Sequence, residues 1–245
     1  MKYSIQRLNS ELEHAREYMQ AKLPKELNQP IRVLYRYIPS LEIGGDGFGY
    51  HFYDDDHFII YLIDVAGEGV SAAIHSNSIL HVLHHLVEIK NPLLLRPDQV
   101  LKELNAEFQM EENAELFFTI WYGVYQISSS MLSYATGGHH PAVLLGKEKK
   151  LLLKTSSKLM GVDKKNHFLA KSVKINPQDT LFLFSDGVFE YEQNKKSYTF
   201  EDFCTFLEEI ELNSCDALDE VERRSFRLSG NKPFPDDFSI LQITF

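Results

Sequence analysis

The sequence has little cysteine, no long apolar run and no excess of positive charge. Cys204 and Cys215 are its two cysteines in 245 residues. Their spacing fits neither a zinc motif nor a redox pair, so both read as reduced packing residues in a reducing compartment. No stretch of 18 apolar residues is present, which argues against a membrane-spanning helix. The opening segment MKYSIQRLNSELEHAREYMQ is too charged for a signal peptide, and a cytoplasmic location is expected. A formal net charge of −10 offers no generic attraction to nucleic acid or anionic lipid, so neither is expected as a partner. Thirteen glycines and nine prolines are ordinary and argue against a disordered or collagen-like chain. With 44% hydrophobic and 24% charged residues, the length suits one large α/β domain.

The chain opens on a helical pattern. Leu8, Leu12, Ala15, Met19 and Leu23 recur at steps of three and four. Ser10 and Glu13 have capping-box spacing, and Pro24 ends the run. The stripe fits a helix packed on its own domain, or a linker or dimerisation helix; it is too short for a coiled coil. Residues 1–27 are therefore set apart from a main domain at 28–245.

Beyond Pro30 the period changes to two. Strands are expected at Ile31–Tyr37, Gly47–Tyr53 and Phe58–Ile63, the latter two joined by the polar turn Asp54–Asp56. A long helix follows at Val70–Ile89. Its histidines are His75, His81, His84 and His85; His81 and His85 have metal-pair spacing but no third ligand, and read as surface or packing residues. Pro97 opens a second helix through Phe108. Strands return at Phe117–Ile127, Leu132–Ala135, Pro141–Leu145, Leu151–Thr155, His167–Ile175 and Thr180–Ser185. A polar turn is expected over Gly146–Lys150. Helices at Phe200–Ile210 and Asp216–Leu228 precede a final strand, Phe238–Phe245. The pattern predicts an α+β fold, a sandwich with layered antiparallel sheets.

Four motifs place an acid at the end or start of a strand: Gly44-Gly45-Asp46, Asp64-Val65-Ala66-Gly67-Glu68-Gly69, Ser185-Asp186-Gly187-Val188 and Asp236-Asp237. Glycine beside an acid lets the backbone turn sharply or approach an ion. Carboxylates from four strand ends can converge at one sheet edge, where they repel one another. Two divalent cations would remove that repulsion. An oxygen-only donor set suits Mg²⁺ or Mn²⁺ better than zinc, and a pair of such ions can activate water toward a phosphoryl group.

The ordered set GGD, DVAGEGVSAA, YATGGHHPAVLL, FLFSDGVFE and DDFSIL resembles the PPM-type metal-dependent serine/threonine phosphatases, in their bacterial SpoIIE-like branch of sigma-factor regulators. The resemblance runs over nearly the whole chain. It implies two antiparallel sheets flanked by helices, and two Mn²⁺ or Mg²⁺ ions. By motif position Asp46 and Asp64 would bridge or flank the ions, and Val65 would offer its carbonyl. Asp186 and Asp236 would complete a shell, with Asp237 as the alternative to Asp236. Gly44, Gly45, Gly67, Gly138, His139 and Gly187 would be structural. The resemblance further implies a phosphorylated anti-sigma-factor antagonist as substrate and control by a sensor or activator protein; the apolar stripe of the first helix would suit a homodimer.

Two positions depart from the branch and its relatives. Gly49 stands where a second acid is usual, and Ala66 stands where eukaryotic relatives carry a histidine. Two other readings compete. A catalytically weak binding or signalling module is motivated by Gly49. A diguanylate cyclase is suggested by Gly44–Phe48, but that signature needs an acid at Gly47.

Overall fold

The computed structural model describes residues 2–113, 115–147, 149–193, 196–210 and 217–245. Cys215 and Asp216 lie outside them, as does the side chain of Leu8. Two five-stranded sheets face each other, and every pairing in them is antiparallel. One is ordered β1 (Arg32–Ile38), β12 (Phe238–Thr244), β9 (Thr180–Phe184), β6 (Ala142–Gly146), β7 (Lys149–Leu153). The other is ordered β2 (Gly47–Phe52), β3 (His57–Val65), β4 (Phe118–Gln126), β5 (Met131–Gly137), β8 (Lys171–Lys174).

Helices cover both outer faces. α2 (Gly69–Glu88) and α3 (Pro97–Glu107) pack on the β2–β8 sheet, and α4 (Phe200–Glu209) and α5 (Ala217–Leu228) on the other. The result is the predicted sandwich. Strand alternation divides the core into three apolar layers. Phe58, Ile60 and Leu62 of β3 point between the sheets with Leu181 and Leu183 of β9 and Leu241 and Ile243 of β12. Ile59, Tyr61 and Ile63 point to α2 and α3. Phe182, Phe184, Phe238 and Ile240 point to α4 and α5. β3 reads as continuously apolar because both of its faces are buried.

Several local expectations are corrected. α1 spans Lys2–Gln20, so Ser10 is inside the helix and caps nothing; the spacing matched a capping box without a helix start beside it. The turn expected over Gly146–Lys150 is shorter, because Gly146 pairs with Lys149. The strand expected at His167–Ile175 is confined to Lys171–Lys174, since Phe168 turns into the layer beneath α2 and α3. A small hairpin of β10 (Tyr191–Gln193) and β11 (Lys196–Tyr198) was not expected. Cys204 is a buried free thiol, and burial raises its pKa to about 11, which makes it a packing residue.

Candidate active site

The same alternation that builds the core builds the site. Asp46 shares the parity of Phe48 and Tyr50, Asp64 that of Phe58, Ile60 and Leu62, and Thr119 that of Trp121 and Tyr125, all of which face the inter-sheet layer. Ser185 continues Leu181 and Leu183, and Ser239 precedes Leu241 and Ile243. Period two therefore carries polar residues from both sheets into one end of the slot between them. Apolar side chains fill the slot as far as this end, where the polar set begins.

A cleft of about 270 Å³ opens there, lined by Asp64, Val65, Ala66, Gly67, Phe117, Thr119, Asp186 and Asp236. No lysine or arginine is among these residues. Asp46 lies behind it, buried, and its Oδ2 accepts a 2.5 Å hydrogen bond from Ser239 Oγ. Ser185 Oγ accepts from Ser239 N at 3.1 Å and donates to the Asp237 carbonyl at 3.0 Å. These hydroxyls stitch β9 and β12 to the Gly44-Gly45-Asp46 turn.

The two adjacent acids part company. Asp236 is exposed and faces the cleft. Asp237 is buried and turned to the other side of the chain. Its Oδ1 accepts from Ser40 N at 2.8 Å and Ser40 Oγ at 3.0 Å; its Oδ2 accepts from Gly45 N at 2.6 Å and Asp46 N at 3.3 Å. A side chain at Gly44 would collide with this carboxylate, and one at Gly187 with the Asp237 backbone carbonyl. Both positions are glycine because the chain segments touch there. Gly45 would meet the Val65 carbonyl and Ala72 at 3.0 Å. Gly67 has φ +96° and Gly138 φ +70°, the left-handed region that glycine enters without strain.

His139 is a strut. Its Nδ1 lies 2.6 Å from Thr119 Oγ1 on one sheet, and its Nε2 lies 3.1 Å from the Phe184 carbonyl on the other. The carbonyl can only accept, so Nε2 carries the hydrogen and Nδ1 accepts from the hydroxyl. Burial, then neighbouring His140, holds its pKa well below the ordinary value. A neutral ring tying β4 to the end of β9 is a structural role.

The electrostatics are those of like charges held together. Burial first, then the charges of Asp64 and Asp237, raise the Asp46 pKa well above the usual range, against hydrogen bonds from Ser239 and Ser185. Asp64 is raised likewise by burial, then by Asp186, Asp236, Asp237 and Glu190. Asp186 is pushed up to about 6 by burial, then by Asp236 and Glu190. Asp236 is raised by burial, then by Asp237 and Glu68, against a hydrogen bond from the Asp237 N–H. Among the described residues no three acid, histidine or cysteine side chains are already gathered as a metal-binding group. Asp64, Asp186 and Asp236 line the cleft, with Asp46 buried behind them. An all-oxygen set with raised pKa values and no cation at the cleft fits hard divalent ions.

A pH dependence follows. A carboxyl whose folded pKa is raised contributes stability below its unfolded pKa of about 4 and loses it as pH rises through the folded value. With Asp186 at about 6, protein held in chelator is expected to be more stable at pH 5 than at pH 7.5. A melting-temperature gap of about 5 °C is a reasonable size. Saturating Mn²⁺ should close it. Scanning calorimetry at the two pH values, with and without the ion, checks this.

Sequence reasoning did not single out Thr119, Ser185, Ser239, Ser40 or Glu190. Glu190 was visible as the acid one turn beyond Asp186. The hydroxyls had no sequence signal beyond their parity. Gly49 pairs with Tyr61 across β2 and β3, and a side chain there would run into the Tyr61 ring. Tyr61 Oη in turn lies 3.1 Å from His51 Nε2. The ring fills the space that an acid at 49 would need. His81 and His85 are exposed, while His75 packs edge-on against Phe108 and Phe118.

Comparison with known proteins follows this geometry. The family profile described as Stage II sporulation protein E (SpoIIE) matches residues 54–245. The phosphoserine phosphatase RsbU of Bacillus subtilis is 26% identical over 251 residues, covering 96% of this chain and 70% of that protein. The phosphoserine phosphatase RsbP of the same organism is 30% identical over 186 residues, covering 74% of this chain and 45% of that protein. Among solved structures, the SiaA-PP2C domain of Pseudomonas aeruginosa superposes with a TM-score of 0.86 at 19% identity, covering 100% of this chain and 99% of that one.

Proposed function

We infer the function from the premise that this chain belongs to the SpoIIE family: it is a protein serine/threonine phosphatase of the PPM type, and its substrate, ions and control are proposed as follows. Asp46, Asp64, Asp186 and Asp236, with the Val65 carbonyl, hold two Mn²⁺ or Mg²⁺ ions. When bound, such ions supply counter-charge and Lewis acidity toward water and a phosphoryl oxygen. The observation that carries this is the gathering of four acids from both sheets at one end of the slot, with Asp64, Asp186 and Asp236 lining the cleft and Asp46 buried behind it.

The chain's own residues do the positioning. Asp237 fixes the Gly44-Gly45-Asp46 turn through the backbone N–H groups of Gly45 and Asp46 and ties it to that of Ser40, and Ser239 orients the Asp46 carboxylate. His139 holds the two sheets at a set distance. Position 66 is alanine, so the leaving alkoxide takes its proton from water. Tyr61 accounts for glycine at position 49, and turnover in Mn²⁺ separates this reading from a catalytically weak module.

The purified protein is expected to hydrolyse p-nitrophenyl phosphate in Mn²⁺ and to stop in excess chelator. Undiminished turnover in chelator would overturn the metal assignment. The proposed natural substrate is a phosphoserine or phosphothreonine on an anti-sigma-factor antagonist, in the cytoplasm. Support comes from the relatives named as phosphoserine phosphatases and from the solved RsbU and RsbW domains of Rv1364c, with a TM-score of 0.66.

Residues 1–27 are proposed as a regulatory unit that receives an activator or pairs with a second copy. Leu12, Ala15 and Met19 are half-buried while Glu11, Glu13 and Glu17 are exposed. Met19 and Leu23 share a cavity of about 270 Å³ with Leu80 and His84 of α2 and with Asp46. The end of α1 thus borders the rear of the site. Leu12→Glu combined with Met19→Glu is expected to change oligomeric state or basal turnover severalfold while circular dichroism stays native. A native spectrum with unchanged mass and unchanged turnover counts against this role.

A further inference from the structure

The solvent face of the first half of α2 is uncharged and partly apolar. Val70, Ser71, Ile74, Asn77 and Ser78 are exposed along it, and no Asp, Glu, Lys or Arg occurs in the helix before Glu88. Nearly a quarter of the whole chain is charged (24%), and the outer face of a surface helix ordinarily takes much of that charge. Val70 is 48% exposed and Ile74 62%. They are four residues apart and so neighbours on one helix face. Leu41, 46% exposed, joins them, since its Cδ1 lies 3.7 Å from where a Cβ on Gly69 would stand. None of the three takes part in the acid site.

The patch adjoins that site. Gly67 lines the acidic cleft, and α2 starts two residues later. At 1.5 Å per residue, Ile74 is about 10 Å along the chain from the cleft rim. Farther along α2, Asn77, Leu80, His81 and His84 border the cavity shared with α1. The open part of the face is the part next to the chemistry.

We propose that Leu41, Val70 and Ile74 form the seat for the folded phosphoprotein substrate. This rests on the protein phosphatase reading above. A phosphoseryl side chain is short, so delivering it into the cleft lays the surrounding protein surface on the rim. Here the surface just beyond Glu68 on the α2 side is apolar, with Leu41, Val70 and Ile74 exposed, which is the composition of an interface centre. A lipid surface would be met by lysines or arginines interleaved with the apolar residues, and this face has none. Exposed Glu42 and Glu68 flank the patch, so acidic residues beside the phosphoserine are disfavoured. The substrate that fits presents apolar side chains next to its phosphorylated residue.

The test compares two substrates on Ile74→Glu and on Val70→Glu. p-Nitrophenyl phosphate reaches the cleft without touching the rim; a serine-phosphorylated antagonist domain must cover it. Both substitutions are at exposed positions, and Val70→Glu falls in the first turn of α2, where a glutamate suits the helix N-terminus, so folding is retained. Turnover of the aryl phosphate in Mn²⁺ is expected to stay within twofold of wild type. kcat/KM on the phosphoprotein is expected to fall at least tenfold, mostly through KM, with Ile74→Ala in between. Equal losses on both substrates, or no loss on either, overturn the proposal. So does a variant whose sedimentation mass halves while phosphoprotein turnover holds, since a second copy is then the occupant. If wild type cleaves the aryl phosphate but not the phosphoprotein, the antagonist substrate fails first and the seat argued from it falls too.

Discussion

Asp64→Asn is expected to lower turnover by about a thousandfold, the scale of losing one preorganised electrostatic contact at a reaction centre. Its side chain occupies the inter-sheet parity at the end of β3, beside Asp186 and Asp236 and in front of Asp46. If it holds both proposed ions, the amide removes charge from each. The fold should survive, because Asp64 is repelled by its neighbours in the metal-free protein and losing the charge relieves them. Metal-free Asp64→Asn is therefore expected to melt at or above wild type at pH 7.5. The control is Asp54→Asn. Asp54 closes the β2–β3 turn by accepting from Asp56 N and His57 N at 2.9 and 2.7 Å, far along β3 from the cleft. Its turnover should stay near wild type. Steady-state kinetics on both variants decides, and comparable losses would remove the distinction between turn and site aspartates.

Asp237→Ala is expected to be the most destabilising single change at the site. It leaves the buried amides of Gly45 and Asp46, and that of Ser40, without their acceptor. Unsatisfied buried donors cost about 1–3 kcal/mol each in the worst case, so a net loss of about 3 kcal/mol and a melting-temperature drop of about 6–12 °C follow. Turnover should fall as well, because the turn that presents Asp46 loses its anchor. Asp237→Asn keeps one acceptor oxygen and should lie between. Denaturation and kinetics on both variants test this; a loss of metal affinity with unchanged stability would instead make Asp237 a ligand.

The contrast between Asp236 and Asp237 shows where sequence reading stops. That an acid begins the last strand was legible, because Phe238–Phe245 is rich in apolar and β-branched residues and two aspartates precede it. Which of the two faces the cleft depends on how β12 sits between β1 and β9, and adjacent residues on a strand point opposite ways. The long strands and central helices were legible because their periods are dictated by buried faces. The β10–β11 hairpin was not, since three-residue strands carry no period. The apparent capping box at Ser10 misled because capping chemistry has no meaning without the helix start. Ser185 ties β9 to β12, and Ser239 and His139 bond from one sheet to the other; no local pattern records these partners.

The position of β12 also sets when the site can exist. It is the last strand in chain order, yet it lies between β1 and β9 and brings Asp236, Asp237 and Ser239 with it. On the ribosome, the β2–β8 sheet can pair while the facing sheet still lacks its inner member. A nascent or proteolytically clipped chain ending before residue 236 would have Asp46, Asp64 and Asp186 but neither the anchor for the first nor the fourth acid. The site is thus incomplete until translation has passed β12, and cleavage before Asp236 would silence the enzyme without touching Asp46, Asp64 or Asp186.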